Sequence, residues 1–209
     1  MTIVVIGQWF IHGFVMSAVK TPIDFMFSDL HVPADRMQIF DAVTNMPWQL
    51  KPVIGLAADL GLLSCRGYKK QPLVIMSSIL SVAALGFLWR VNIYKYPPEV
   101  LVVSVFIIMM QMSTVDLLTE ARCAEAMRDE PSRRSDLISF VWIGTFGFKM
   151  LGKIFIGLML TQVSRQAGYL FLIPIAASII YPAGKNSYET HIIGKLGPRI
   201  HTLPSSGSV

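Results

Sequence analysis

Six largely apolar stretches, the sixth rather short for a bilayer span, alternate with short polar links along the chain. The first runs from Thr2 to about Val19, is interrupted by Gly7, His12 and Gly13, and is closed by Lys20-Thr21-Pro22. Asp24 to Asp35 reads as a polar link in which Pro33-Ala34-Asp35 offers a proline and an acid to start a second helix, running to about Leu62. After the basic loop Cys65-Arg66-Gly67-Tyr68-Lys69-Lys70, an uncharged third stretch spans Leu73 to Trp89, with Ser77 and Ser81 spaced for close helix contact. The fourth begins after Pro97-Pro98, stays apolar through Met112 and then takes up Asp116, Glu120, Arg122 and Glu125. A charged loop, Ala126 to Asp136, precedes a glycine-rich fifth stretch from Leu137 to about Val163 that carries Lys149 and Lys153. A turn at Arg165-Gln166 leads to the uncharged sixth, Gly168 to Tyr181, which contains Pro174.

Crossing a hydrocarbon core takes roughly 20 mostly apolar residues, so this chain has room for about six spans. The expected fold is an all-α membrane protein in which residues 1–182 form a six-helix transmembrane half-bundle. Residues 183–209, rich in Gly, Pro and Ser, read as a polar, disordered cytoplasmic tail.

Composition agrees with that reading: of 209 residues, 53% are hydrophobic and only 15% charged, with a mean hydropathy of +0.55, outside the balance of a soluble domain. The net charge of +5 resides in short clusters between apolar runs, so it marks topology rather than a nucleic-acid surface, and no nucleic-acid partner is expected. One side of the expected bundle carries Lys20, Arg36, Arg90, Lys95 and Arg165. The other carries Arg66, Lys69, Lys70, Arg122, Arg128, Arg133, Arg134, Lys185, Lys195 and Arg199, which places both termini in the cytoplasm. No basic segment precedes the first apolar run, so a cleaved signal peptide is not expected. Cys65 and Cys123 are far apart and lack metal-ligand spacing, so free thiols are expected. There is no nucleophile constellation, phosphate-binding glycine loop or metal motif; the expectation is a non-enzyme with no catalytic residues, no metal and no cofactor.

The charges inside the spans carry the candidate chemistry. Charged side chains are costly in a bilayer unless they face a protein interior or a watery cavity. They occur in the second, fourth and fifth spans, which are therefore expected to surround a polar axis while the third and sixth face lipid. Lys51, Gly55 and Asp59 recur at intervals of four and share a helix face, with Gly55 leaving room for another backbone. Asp116 with Glu120, and Lys149 with Lys153, form like-charged i,i+4 pairs that each call for an opposite partner. The economical pairing sets Asp116 against Lys51 or Lys149. On a functional reading, Lys51, Lys149 or Lys153 takes an anionic group and Asp116 a proton or an amine. Asp59 and Glu120, at the cytoplasmic ends, are expected to act as gates with Arg66, Lys69, Lys70 or Arg122. Pro47 and Pro52 bracket Trp48 and Lys51 and are expected to loosen the second helix into a hinge with Gly55. On a packing reading the same charges only neutralise one another. His12 reads as a helix contact rather than a ligand.

The run Gly55-Leu-Ala-Ala-Asp59 followed by the basic Arg66-Gly67-Tyr68-Lys69-Lys70 resembles the signature loop of the major facilitator superfamily. Pro47-Trp48-Gln49-Leu50-Lys51-Pro52 before it, and Asp116-Leu-Leu-Thr-Glu120-Ala-Arg122-Cys-Ala-Glu125, make the chain similar to the folate–biopterin transporter family. The resemblance continues through Asp136-Leu-Ile-Ser-Phe to Gly144 and covers about residues 5 to 180, the N-terminal half of a family member. It implies a multi-pass plasma-membrane carrier of folate or biopterin pteridines, coupled to protons. A half-bundle cannot close a central cavity. The expectations are thus a truncated carrier, or a half that pairs with a second half-transporter or with itself; the alternative is a non-transporting membrane remnant or interaction protein whose charges serve packing.

Overall fold

The structure is a computed structural model in which residues 5–61, 70–92, 94–129, 132, 134–162 and 166–184 are described. The described residues form helices and connecting turns, with no strand among them. A π-wound segment, Val5–Val15, runs directly into α1, Met16–Asp29. There follow α2, Ala34–Gln49; α3, Lys51–Leu60; α4, Gln71–Arg90; α5, Pro98–Asp129; α6, Arg134–Gln162; α7, Ala167–Ala177; and α8, Ile180–Gly184. Among the described residues, four helical stretches are long and apolar enough to cross a membrane: α4, Pro98–Arg128 of α5, α6, and the α7–α8 stretch Ala167–Gly184. The other two expected spans are each built from two pieces, the π segment with α1 and α2 with α3.

The first piece runs past the boundary expected at Lys20-Thr21-Pro22. Pro22 lies inside α1, and the helix continues to Asp29. A proline removes one backbone donor, whereas Val19, Ile23, Met26 and Phe27 on both sides of it are all buried along one face. Packing therefore carries the helix through the proline. The polar link shortens to the turn at Leu30 and His31 before α2.

The second piece breaks between its two prolines, at Leu50, with φ −83° and ψ 1°. Pro52 has no N–H to offer the Trp48 carbonyl, so the α-helical ladder cannot continue unbroken there. The Ser113 hydroxyl of α5 donates to the Pro47 carbonyl at 2.7 Å and pins the break to the fourth span. α3 ends on Gly61, whose φ of 66° is the left-handed conformation that glycine adopts at a helix C-terminus. Gly55 differs from its expected role. The space beside it holds the Leu117 side chain, 3.5 Å from where a Cβ would stand, which is ordinary contact and not the close approach of another backbone.

α5 is the central post. Two thirds of its apolar window is buried (67%), against 39% for α4 and 22% for α6. Leu101, Val105, Ile108, Met109, Met112 and Val115 are wholly enclosed. α4, α2, the π segment and α3 pack on it, and α7 packs on α4. Gln111 Nε2 donates to Ser78 Oγ and to the Ala176 carbonyl, both at 3.0 Å, and so ties α4, α5 and α7 together. The serine face of α4 is turned inward, while Met76, Ile79 and Leu80 are exposed on its outer side.

α6 lies along the π segment and α1. At Gly13 a Cβ would stand 2.9 Å from both the Phe148 Cβ and the Thr145 carbonyl, a backbone approach that only glycine allows. Gly13→Ala should therefore destabilise the solubilised chain by roughly 1–3 kcal/mol through overpacking. Gly147, with nothing within 4 Å of its would-be Cβ, should accept alanine with a gain of about 0.5–1 kcal/mol. Thermal melts of the two variants in the same detergent check the contrast; similar melting points would refute it.

Candidate functional site

The break at Leu50 makes Lys51 the first residue of α3 and aims it at α5. There its Nζ pairs with Asp116 Oδ2, in a carboxylate only 1% exposed. Of the two partners expected for Asp116 on grounds of charge, Lys51 and Lys149, the one that contacts it is Lys51. Two residues of the π segment complete the acid's surroundings: Gln8 Nε2 donates to Asp116 Oδ1 at 2.8 Å, and His12 Nδ1 lies 2.7 Å from the same oxygen. Gln8 Oε1 is also 3.3 Å from His12 Nδ1. A carboxylate only accepts hydrogen bonds, so the His12 proton belongs on Nδ1. Asp116 is thereby satisfied by three donors, one of them cationic, which is what a buried carboxylate needs to stay ionised.

The site is layered. The Trp48 indole, one turn before Lys51, holds the Lys51 ammonium 4.7 Å from its ring centre and the His12 ring at 5.0 Å. Glu120, one turn beyond Asp116 on α5, places Oε2 3.5 Å from Lys51 Nζ with its side chain 55% exposed. Two carboxylates on one helix face thus share one lysine; the first is sealed and the second is open.

The structure places the other candidates as follows. Lys149 lies 5.7 Å from the Phe146 ring centre, and Lys153 is exposed on α6; neither is brought to Asp116 by a hydrogen bond or ion pair. Among the described residues, the hydrogen bonds and ion pairs around Asp116 come from the π segment, α3 and α5, so the first stretch joins the second and fourth there, where the sequence offered the fifth. The packing of α6 on Gly13 sets Thr145 against the π segment; Lys149, one turn further on, is half-buried and feels the Asp116 charge without contacting it. Asp59 is 4.0 Å from Lys70 across an exposed surface, where an ion pair contributes little. Arg122 pairs with Glu125 at 2.6 Å, and Glu120 pairs with Lys51 instead of an arginine. Arg66 and Lys69, like the tail from residue 185 onward, lie outside the described residues.

Gln8 and His12 are the members of the Asp116 cluster that the sequence understates. Their signal is their spacing of four inside an apolar run, which sets both on one side of a helical segment. The segment itself is wound with i→i+5 hydrogen bonds over 11 residues; π-winding is rare and concentrates at functional sites.

Beside this cluster a cavity of about 160 Å³ opens between the π segment, α5 and α6. Gln8, His12 and Glu120 form its polar wall, and Ile138, Val141 and Trp142 its apolar one. Trp142 is stacked on Phe146 with ring centres 5.5 Å apart.

Comparison with known proteins gives a consistent picture. The chain is 25% identical over 153 residues to a protein of Arabidopsis thaliana named probable folate-biopterin transporter 7, covering 70% of this chain and 33% of that protein. It is 23% identical over 171 residues to probable folate-biopterin transporter 4 of the same plant, covering 81% and 34% respectively, and 24% identical over 179 residues to probable folate-biopterin transporter 6, covering 85% and 34%. The chain thus spans about a third of the length of these relatives. No solved structure matches it. The family model described as the BT1 family matches residues 12–188, which include His12, Lys51, Asp116 and Glu120, and the chain belongs to that family.

Proposed function

We propose that this chain is the cavity-lining half of a membrane carrier for folate- and biopterin-type pteridines, coupled to protons. The reading is carried by one observation: a sealed carboxylate, Asp116, held by Lys51, His12 and Gln8 where three helical segments meet inside an apolar bundle. Charged groups at membrane depth are expensive, and where they occur they mark ion and substrate pathways. Membership in the BT1 family and the names of the relatives supply the substrate class.

In this reading Asp116 is the proton-binding group and Lys51 exchanges between Asp116 and an anionic part of the substrate. The break at Leu50, between Pro47 and Pro52, lets α3 move against α2 while Ser113 holds the joint. Asp59 with Lys70, and Arg122 with Glu125, close the cytoplasmic mouth in one state and part in the other. The chain resides in the plasma membrane with both termini on the cytoplasmic side.

A second half-bundle, another chain or a second copy, completes the cavity. The exposed face of α6 favours this, because Ile143, Phe146, Met150 and Ile154 lie on it together with Lys153, with the half-buried Lys149 beside it. A lipid-facing helix would not hold two lysines near its middle, whereas a shared watery cavity suits them. The test is uptake of labelled folate or biopterin by cells expressing the chain, with Lys51→Ala and Asp116→Asn as comparisons. Uptake should fall at least about tenfold in each. Unchanged uptake in both would remove these two residues from the site.

A further inference from the structure

The two carboxylates of α5 are not equivalent. Asp116 is 1% exposed and already accepts from Gln8, His12 and Lys51, so it has no access to a ligand. Glu120 is 55% exposed and lines the cavity. Among the described residues its one ion pair, with Lys51, runs through Oε2 at 3.5 Å. An ionised carboxylate is an acceptor at both oxygens and is best matched by two parallel N–H donors.

The cavity's other wall is apolar and aromatic. Ile138, Val141 and the Trp142 indole face the Gln8, His12 and Glu120 wall across the gap. A flat, amphipathic ring fits such a slot: its faces lie against apolar side chains and its polar edge meets the carboxylate. At about 160 Å³ the space suits one six-membered ring, since a cavity of about 150 Å³ takes a benzene-sized ring, so it would hold the pyrimidine half of a bicyclic heterocycle. It does not hold a whole drug-sized ligand, which needs roughly 300 Å³ or more.

We propose that Glu120 is the specificity residue of a ring-binding subsite, and that it takes the 2-amino-4-oxopyrimidine edge of a pteridine through that edge's exocyclic amino group and N3–H. The inference rests on the pteridine reading above and deepens it. Lys51 stays beside the ring with Glu120, Lys149 and Lys153 are left for an anionic part of the substrate away from the ring, and the ring is read by an acid. Trp142, supported by Phe146, covers one face of the ring and discriminates flat from non-flat ligands without reading the edge.

The test is equilibrium binding to the full chain, purified in detergent, with labelled biopterin displaced by pterin or by lumazine. Lumazine carries an oxo group in place of the 2-amino group and so presents an acceptor to the carboxylate. Wild type should bind pterin about 10- to 100-fold more tightly than lumazine, the range expected for hydrogen bonds to a charged group. In Glu120→Gln, where one acceptor becomes a donor, the ratio should collapse to within about threefold. Trp142→Leu should weaken both ligands alike and keep the ratio. Equal affinity of wild type for the two ligands overturns the subsite, and this measurement does not depend on any variant folding. A Glu120→Gln chain that keeps the wild-type ratio overturns it as well. Either result with biopterin still bound leaves the carrier reading standing, whereas a wild-type chain that binds no pteridine overturns both.

Discussion

Asp116→Asn is expected to cost about 3 kcal/mol of stability and to abolish pteridine uptake. The asparagine matches aspartate in size but leaves Lys51 and His12 facing a neutral amide. Removing one member of a buried ion pair typically costs about 3–5 kcal/mol, because the other charge stays behind without compensation. The lower end applies here, since Lys51 is 22% exposed and keeps Glu120 at 3.5 Å. The measurement is a thermal or denaturant melt of the solubilised chain beside an uptake assay in whole cells. A melting point equal to that of wild type would mean that Asp116 is not the electrostatic centre that the geometry describes.

The second large effect separates transport from packing. A double variant, Lys51→Met with Asp116→Leu, replaces the ion pair with apolar groups of similar volume. Such replacements are often neutral or stabilising, in contrast to breaking the pair from one side. The two single variants and the double should therefore show a coupling energy of about 1–3 kcal/mol. Gln8 and His12, 3.3 Å apart, then have each other as hydrogen-bond partners. Stability returns and uptake does not. A double variant that still carries pteridine would assign these charges to packing alone; simple addition of the two single losses would mean that the pair is not coupled.

That Asp116 pairs with a lysine of another stretch, Lys51 or Lys149, was legible in the sequence because a charge in an apolar run requires an opposite partner, and few were on offer. The joint between Pro47 and Pro52 was legible for a similar reason, since two missing donors cannot both be absorbed by a regular helix. Choosing between Lys51 and Lys149 was beyond the sequence. That choice depends on which helix brings its lysine within contact distance of α5, a tertiary arrangement that includes the fit of Gly13 against Thr145 and Phe148, a contact between residues over a hundred positions apart. His12 and Gln8 escaped for a different reason. Neutral polar side chains have no obligatory counter-charge, and winding with one extra residue per hydrogen-bonded ring leaves no trace in a period of 3.6. The continuation of α1 past Pro22 was hidden because local proline chemistry and tertiary burial pointed opposite ways there, and burial prevailed.

The π-wound segment has a mechanical consequence. Each of its rings encloses one residue more than an α-helical ring, so the segment stores slack in its winding. Rewinding one ring as α-helix changes the angular register of everything on its N-terminal side by about 100°, the turn of a single α-helical residue. If the rewound ring lies between Gln8 and His12, Gln8 swings off Asp116 while His12 keeps its place and α1 does not slide. The first span can in this way change the number of donors on the buried acid by twisting in place, like a key turned in a lock.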